Sequence, residues 1–175
     1  MSQDMPKIQE FFQVLDSPPA ISPPLNGVHV QRLVGNIRFR GVSFSYTGDL
    51  VNNPNLEELD FEVEAGKVLA LVGCSGSGKS TTLSLVYRAF DPQSGTITID
   101  GHDIRTLTLS TLRQNIAIVF QETLMLNRSI ADNLRIGLTN ASDVQLNEAA
   151  TKAQALSFIE KFANKYETEV GERGR

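Results

Sequence analysis

Residues 73–80, Gly-Cys-Ser-Gly-Ser-Gly-Lys-Ser, restrict what this chain can become more than any other stretch. Glycines at 73, 76 and 78 allow the backbone to take φ > 0 and to turn its N–H groups toward one point. The residues before the loop, Val68-Leu-Ala-Leu-Val72, are all apolar, the pattern of a strand buried on both faces of a parallel sheet. Helix-forming sequence follows and is read from Lys79 to Phe90, with Leu83, Val86 and Phe90 on one side. A strand, a glycine turn and a helix N-terminus in that order cradle a polyphosphate, because loop amides and the positive end of the helix dipole converge on it. The spacing G-x-x-x-x-G-K-[ST] adds Lys79 as a point charge for the β- and γ-phosphates and the Ser80 hydroxyl as a Mg²⁺ ligand. Gly73, Cys74, Ser75, Gly76, Ser77 and Gly78 line the cradle, and Thr81 adds a hydrogen bond on the α-phosphate side. Cys74 serves through its backbone N–H and has no catalytic part.

Composition removes several other classes. With 16 Lys and Arg against 20 Asp and Glu, the 175-residue chain has a formal charge of −4. That mild acidity, with both signs spread along the chain, argues against a nucleic-acid protein held by a basic face. Apolar residues make up 41%, enough for a packed core. A single cysteine excludes an intramolecular disulfide and a cysteine-rich zinc site, and points to a reducing compartment. The longest apolar runs fall far short of the roughly 20 residues that a helical membrane span needs. Met1-Ser-Gln-Asp-Met-Pro-Lys7 has no apolar block behind it, so it is not a secretory signal. A cytoplasmic location is the expectation.

Along the chain, Met5, Ile8, Phe12 and Leu15 recur at helical spacing and predict a short helix over 1–16. Residues 17–35 read as a stiff linker, since four of the seven prolines lie in Ser17-Pro-Pro-Ala-Ile-Ser-Pro-Pro24. The domain proper starts at 36. Ile37 and Phe39 alternate, then Val42, Phe44 and Tyr46 alternate in the opposite phase, which predicts a β-bulge at Arg40-Gly41. Thr47-Gly-Asp49 and Asn52-Asn-Pro54 are turns, and Leu59, Phe61 and Val63 mark a strand with one wet face. Thr96–Asp100 is a strand closed by an Asp-Gly turn, Ile116–Phe120 a second buried strand, and Ser129–Ile136 a short helix. Ser142-Asp-Val-Gln145 has the capping-box pattern ahead of Leu146, Ala149, Ala150 and Ala153 on one helical face. From Lys165 onward no pattern is legible.

Three flanking segments carry a resemblance. Phe39-Arg-Gly-Val-Ser-Phe-Ser-Tyr46, Phe90-Asp-Pro-Gln-Ser-Gly-Thr-Ile-Thr-Ile-Asp-Gly101 and Val119-Phe-Gln121 resemble the nucleotide-binding domain of an ABC transporter. Ser129-Ile-Ala-Asp-Asn133 and Thr168-Glu-Val-Gly-Glu-Arg-Gly174 are similar to its export branch. Leu126-Asn-Arg-Ser-Ile-Ala-Asp-Asn133, with Ile8-Gln-Glu-Phe-Phe12, most resembles bacterial cyclic β-1,2-glucan exporters. The resemblance implies an α/β P-loop NTPase fold: an antiparallel β layer, a partial parallel core sheet and the start of a helical subdomain, over residues 36–175. It implies ATP and Mg²⁺ as cofactors. Tyr46 would stack on adenine, and Gln121 would touch Mg²⁺ and couple the nucleotide to a membrane domain. Glu169 and Glu172 would fall in the segment that meets transmembrane coupling helices. Partners in the family are those helices and a second ATP-binding domain.

Other family features have no counterpart in these 175 residues: the Leu-Ser-Gly-Gly segment, the apolar strand ending in Asp-Glu and the switch histidine. Ile97-Thr-Ile-Asp100 is no substitute, since Gly101 follows and the spacing from Lys79 is too short; Asp100 reads as a turn residue. His29 precedes the domain, and His102 sits in the turn region. The expectation is ATP binding by the amino-terminal part of an exporter domain, with Lys79 and Gln121 contributing and no complete catalytic set. The alternative is a non-catalytic fragment or interaction module. A small P-loop kinase or GTPase would need a base, lid or guanine-reading motif, and none is legible.

Overall fold

The computed structural model describes residues 21–121 and 125–171, and the helix expected over 1–16 lies outside them. The chain divides into two units, Met1–Ala117 and Ile118–Arg175. In the first, the alternating segments pair as expected. Strands β1 (Ile37–Phe44), β2 (Leu56–Val63), β3 (Ser94–Ile99) and β4 (His102–Asp103) form an antiparallel sheet in the order β2-β1-β3-β4. Phe39 stands opposite both Phe61 and Ile97, and its ring stacks on Phe61 with centroids 4.4 Å apart.

The phase change in β1 is a bulge: its register with β2 shifts between Phe39 and Val42. Gly41 takes φ +54°, and its displaced N–H donates to Asp60 Oδ1 at 3.0 Å. The extra residue keeps Phe39, Val42 and Phe44 all on the buried face. They form one core with Leu56, Ile97 and Ile99, with Leu85 from helix α1 (Lys79–Val86), and with Ile104, Leu107 and Leu112. Leu112 belongs to helix α2 (Leu109–Asn115), capped by the Thr108 hydroxyl, which accepts from the Thr111 N–H. Nothing in the alternation analysis anticipated α2.

The structure corrects several expectations. Helix α1 ends at Val86 rather than Phe90, because Arg88 adopts φ +55° and turns the chain. Its buried face is Thr81, Thr82 and Leu85, while Leu83 is exposed. Val68–Val72 belongs to no strand, and Val68 and Val72 are 96% and 92% exposed. Ile116–Phe120 likewise joins no strand, and Val119 is 95% exposed. A strand exists only through its ladder. Among the described residues neither run is part of a sheet.

In the second unit, the two-residue strands β5 (Arg128–Ser129) and β6 (Glu169–Val170) pair antiparallel. Helices α3 (Ile130–Arg135), α4 (Asp143–Lys152) and α5 (Leu156–Ile159) and a 3₁₀ turn (Lys165–Glu167) surround a small core of Ile130, Ala150 and Ile159. Glu169–Val170, in a stretch whose sequence has no period, is therefore held by pairing with β5. The expected capping box is formed: Gln145 N–H donates to Ser142 Oγ, and Ser142 N–H to Gln145 Oε1. Leu146 and Ala150 are buried on α4, whereas Ala149 and Ala153 face water. Asn133 binds the turn ahead of α3, accepting from Leu126 N–H at 2.8 Å and donating to the carbonyls of Leu126 and Ser129 at 3.0 Å. No helix of the described residues is long and apolar enough to cross a membrane.

Candidate nucleotide-binding loop

Gly78 ends the loop and opens α1. It takes φ +80°, and a Cβ there would lie 2.9 Å from the Asn55 carbonyl oxygen and against the Leu56 side chain. Only glycine fits. Having no side chain, it gives α1 no side-chain cap. The first-turn N–H groups therefore point out of the helix end with no intrahelical acceptor, beside the positive end of the dipole. The first helical bond, Thr82 N–H to Gly78 O at 2.8 Å, is reinforced by the Thr82 hydroxyl on the same oxygen at 2.9 Å.

Lys79 closes the loop on itself. Its ammonium donates to Gly73 O at 2.8 Å, to Cys74 O at 2.6 Å and to Ser77 Oγ at 3.2 Å. An ammonium has three donors, and the loop uses all of them. The positive charge is thereby held among the loop residues and not extended into solvent. A Cβ on Gly73 would come within 2.6 Å of Ser77 Oγ, so the turn is drawn as tight as glycine permits. Ser80 is exposed on the first turn of α1, and Thr81 is buried. Backbone amides, an ammonium and a serine hydroxyl around one helix end form a donor set suited to a phosphate chain with a hard divalent cation.

Tyr46, just past β1, is brought to the same place. Its hydroxyl donates to Thr81 Oγ1 at 3.4 Å. Phe44 and Phe90 meet its ring edge-on, with centroids at 4.9 and 5.2 Å, and Tyr46 remains 52% exposed. Phe90, read from sequence as part of a helix face, is instead the second prop of Tyr46. Asn55 also escaped the sequence reading. Its Oδ1 accepts from Tyr46 N–H at 2.9 Å while its own carbonyl borders Gly78, so one residue spaces the aromatic from the loop. Gln93 locks Ser45 by a paired contact, accepting from its N–H at 2.9 Å and donating to its carbonyl at 2.7 Å. The only sequence signal for these supports was their turn-type neighbourhood.

The remaining expected residues lie in the second unit. Gln121 is exposed there, as is Glu169 on β6, and Glu172 lies outside the described residues. Asp100 is a turn residue, as read: with Gly101 it makes the β3–β4 turn at φ +51° and +81°.

A lysine-closed glycine loop running into a glycine-capped helix defines a P-loop nucleotide-binding protein. Residues 56–174 match the ABC transporter family, and the chain belongs to it. It is 51% identical over 172 residues to the beta-(1→2)glucan export ATP-binding/permease protein NdvA of Rhodopseudomonas palustris strain BisB18, a match covering 98% of this chain and 28% of that protein. The protein of the same description from Agrobacterium vitis is 41% identical over 168 residues, 96% of this chain and 28% of the relative. A solved bacterial Atm1-family ABC exporter with ATP bound superposes with a TM-score of 0.87 at 36% identity, covering 98% of this chain and 30% of that one. The chain thus spans little more than a quarter of the length of its curated relatives and has the ABC-type nucleotide-binding fold.

Proposed function

We propose that this chain binds ATP with Mg²⁺ through residues 73–81 and serves as part of the ATP-binding domain of an ABC exporter. The observation that carries the reading is Lys79, held by three loop oxygens in front of a helix end without a side-chain cap. The loop amides and Lys79 would hold the phosphates, Ser80 and Gln121 would ligate Mg²⁺, Thr81 would border the α-phosphate, and Tyr46 would stack on the adenine. Stacking is tolerant of base identity, so selectivity among purines would be weak. Bound Mg²⁺ supplies charge neutralisation at the phosphates. The likeness to glucan export proteins supports a glucan as the exported cargo, a second ATP-binding domain and transmembrane coupling helices as partners, and a place on the cytoplasmic face of a membrane.

Turnover is a separate matter. Hydrolysis needs a positioned water, and a general base alone is typically worth about 10²–10⁴ in rate. No residue of the described loop is placed to supply that base, so these 175 residues would bind nucleotide without hydrolysing it. Titration calorimetry with MgATP tests the reading: Lys79→Ala should weaken binding at least about tenfold, the loss expected for a charge-assisted phosphate contact. Equal affinity in both proteins, or none in either, refutes it. The second result would favour a non-catalytic interaction fragment, a reading that the exposure of Val68–Val72 supports. Steady phosphate release that disappears in Lys79→Ala would refute the absence of turnover.

A further inference from the structure

The segment leading into β1 is held mainly by side chains and a turn carbonyl. Val28 makes an isolated bridge, donating to Thr106 O at 2.8 Å and accepting from Thr108 N–H at 3.0 Å. Val30 N–H donates to Thr111 Oγ1 at 3.2 Å, and Leu33 N–H to Asn115 Oδ1 at 2.9 Å. The next three amides converge on one carboxylate: Val34 N–H reaches Asp100 Oδ2 at 2.6 Å, while Gly35 and Asn36 reach Oδ1 at 3.0 and 2.8 Å. Asp100 N–H returns a bond to Asn36 O at 2.8 Å. This strap, residues 28–36, therefore lies along both ends of α2 and finishes in the β3–β4 turn.

The turn does not itself require a carboxylate. With both central residues at positive φ it is a type I′ turn, for which Asn-Gly serves as well as Asp-Gly. What Asp adds is two acceptor oxygens aimed at three consecutive N–H groups, the way anions are held in backbone nests. We propose that Asp100 is the latch of this strap, and that the latch sets the direction in which the polypeptide ahead of Val28 leaves the nucleotide-binding unit. Because the other anchors are Thr106, Thr111 and Asn115, a pull on that polypeptide is delivered to α2 and the β3–β4 hairpin together and not to β1 alone. The proposal rests on the geometry of the first unit and is independent of nucleotide binding.

Asp100→Asn is the informative variant, since it suits the turn but replaces one acceptor oxygen with a donor. Amide exchange followed by NMR on the 175-residue chain should show Val34, Gly35 and Asn36 exchanging about tenfold or more faster, with the β1–β3 ladder as protected as before. Spin labels at Leu25→Cys and Glu57→Cys in a Cys74→Ser background should give a narrow distance distribution that Asp100→Asn broadens. Unchanged exchange at 34–36, or a distribution that stays narrow, overturns the latch. If ladder protection falls along with the strap, Asp100 is a folding residue and the proposal fails. Asn115→Ala leaves the hairpin untouched and gives an independent reading: it should free the Leu33 amide and broaden the same distribution in part, and no broadening overturns the proposal.

Discussion

Lys79 and Asp100 show at the residue scale how one side chain can organise several backbone groups. The lysine gathers loop oxygens, and the aspartate gathers the amides of Val34, Gly35 and Asn36. Burial alone would raise the Asp100 carboxyl above its ordinary value of 3.8, but the amides of Asn36, Gly35 and Val34, with His102 nearby, outweigh it and hold it lower. Asp103 behaves likewise: burial opposes ionisation, and the side chain and N–H of Arg105, followed by its charge and that of Arg88, more than offset it. For Asp49 the leading cause is the Asn52 N–H. A carboxyl lowered on folding contributes stability that is fully present above the unfolded value and is lost as pH falls through the folded one. Melting temperature should therefore change little between neutral pH and about 5 and fall below about 4. Melts of the parent and Asp100→Asn proteins across that range check this, and the variant should show the shallower acid decline.

Helix ends and a bulge carry the argument at the scale of elements. The α4 capping box was legible because its chemistry is local: Ser142 and Gln145 satisfy each other within four residues. Ser142→Ala should cost about 1 kcal/mol and raise exchange at the Asp143–Gln145 amides, measurable by denaturant titration with amide exchange. The bulge was legible because a change of alternation phase has few other causes, and Asp60 supplies the acceptor that Gly41 loses from the ladder. Helix α2 went unseen because only Thr111 and Leu112 are buried on it, too few positions to make a period. The premature end of α1 was equally hidden. Buried Arg88 pairs with half-buried Asp91 at 2.8 Å and also donates to Ile104 O at 3.4 Å, and those partners lie outside the helix.

The two units present different balances of apolar surface on the scale of the whole molecule. The first buries a continuous core between sheet and helices yet leaves Val68, Leu69, Leu71 and Val72 exposed. The second leaves Val119, Phe120 and Phe158 exposed around a core of few residues. Contiguous exposed apolar runs favour association. Sedimentation velocity should show concentration-dependent self-association of the 175-residue chain, reduced in Val68→Lys/Val72→Lys. A sharp monomer boundary at every concentration contradicts this.

Sequence alone determined whatever short-range chemistry decides. The glycine spacing and Lys79 specified the lysine-closed loop ahead of α1, alternation and its phase slip specified β1 and β2, and Asp-Gly specified the β3–β4 turn. Each depends on residues a few positions apart, whose backbone preferences survive outside any fold. Tertiary structure alone decided which apolar runs become strands, since Val68–Val72 and Ile116–Phe120 have the composition of buried strands but belong to no strand of either sheet. It also decided that Phe90 supports Tyr46, that Asn55 spaces that ring from Gly78, and that Asp100 gathers amides some 65 residues away. Contacts of that reach depend on how the chain closes its long loops, and no local period encodes them.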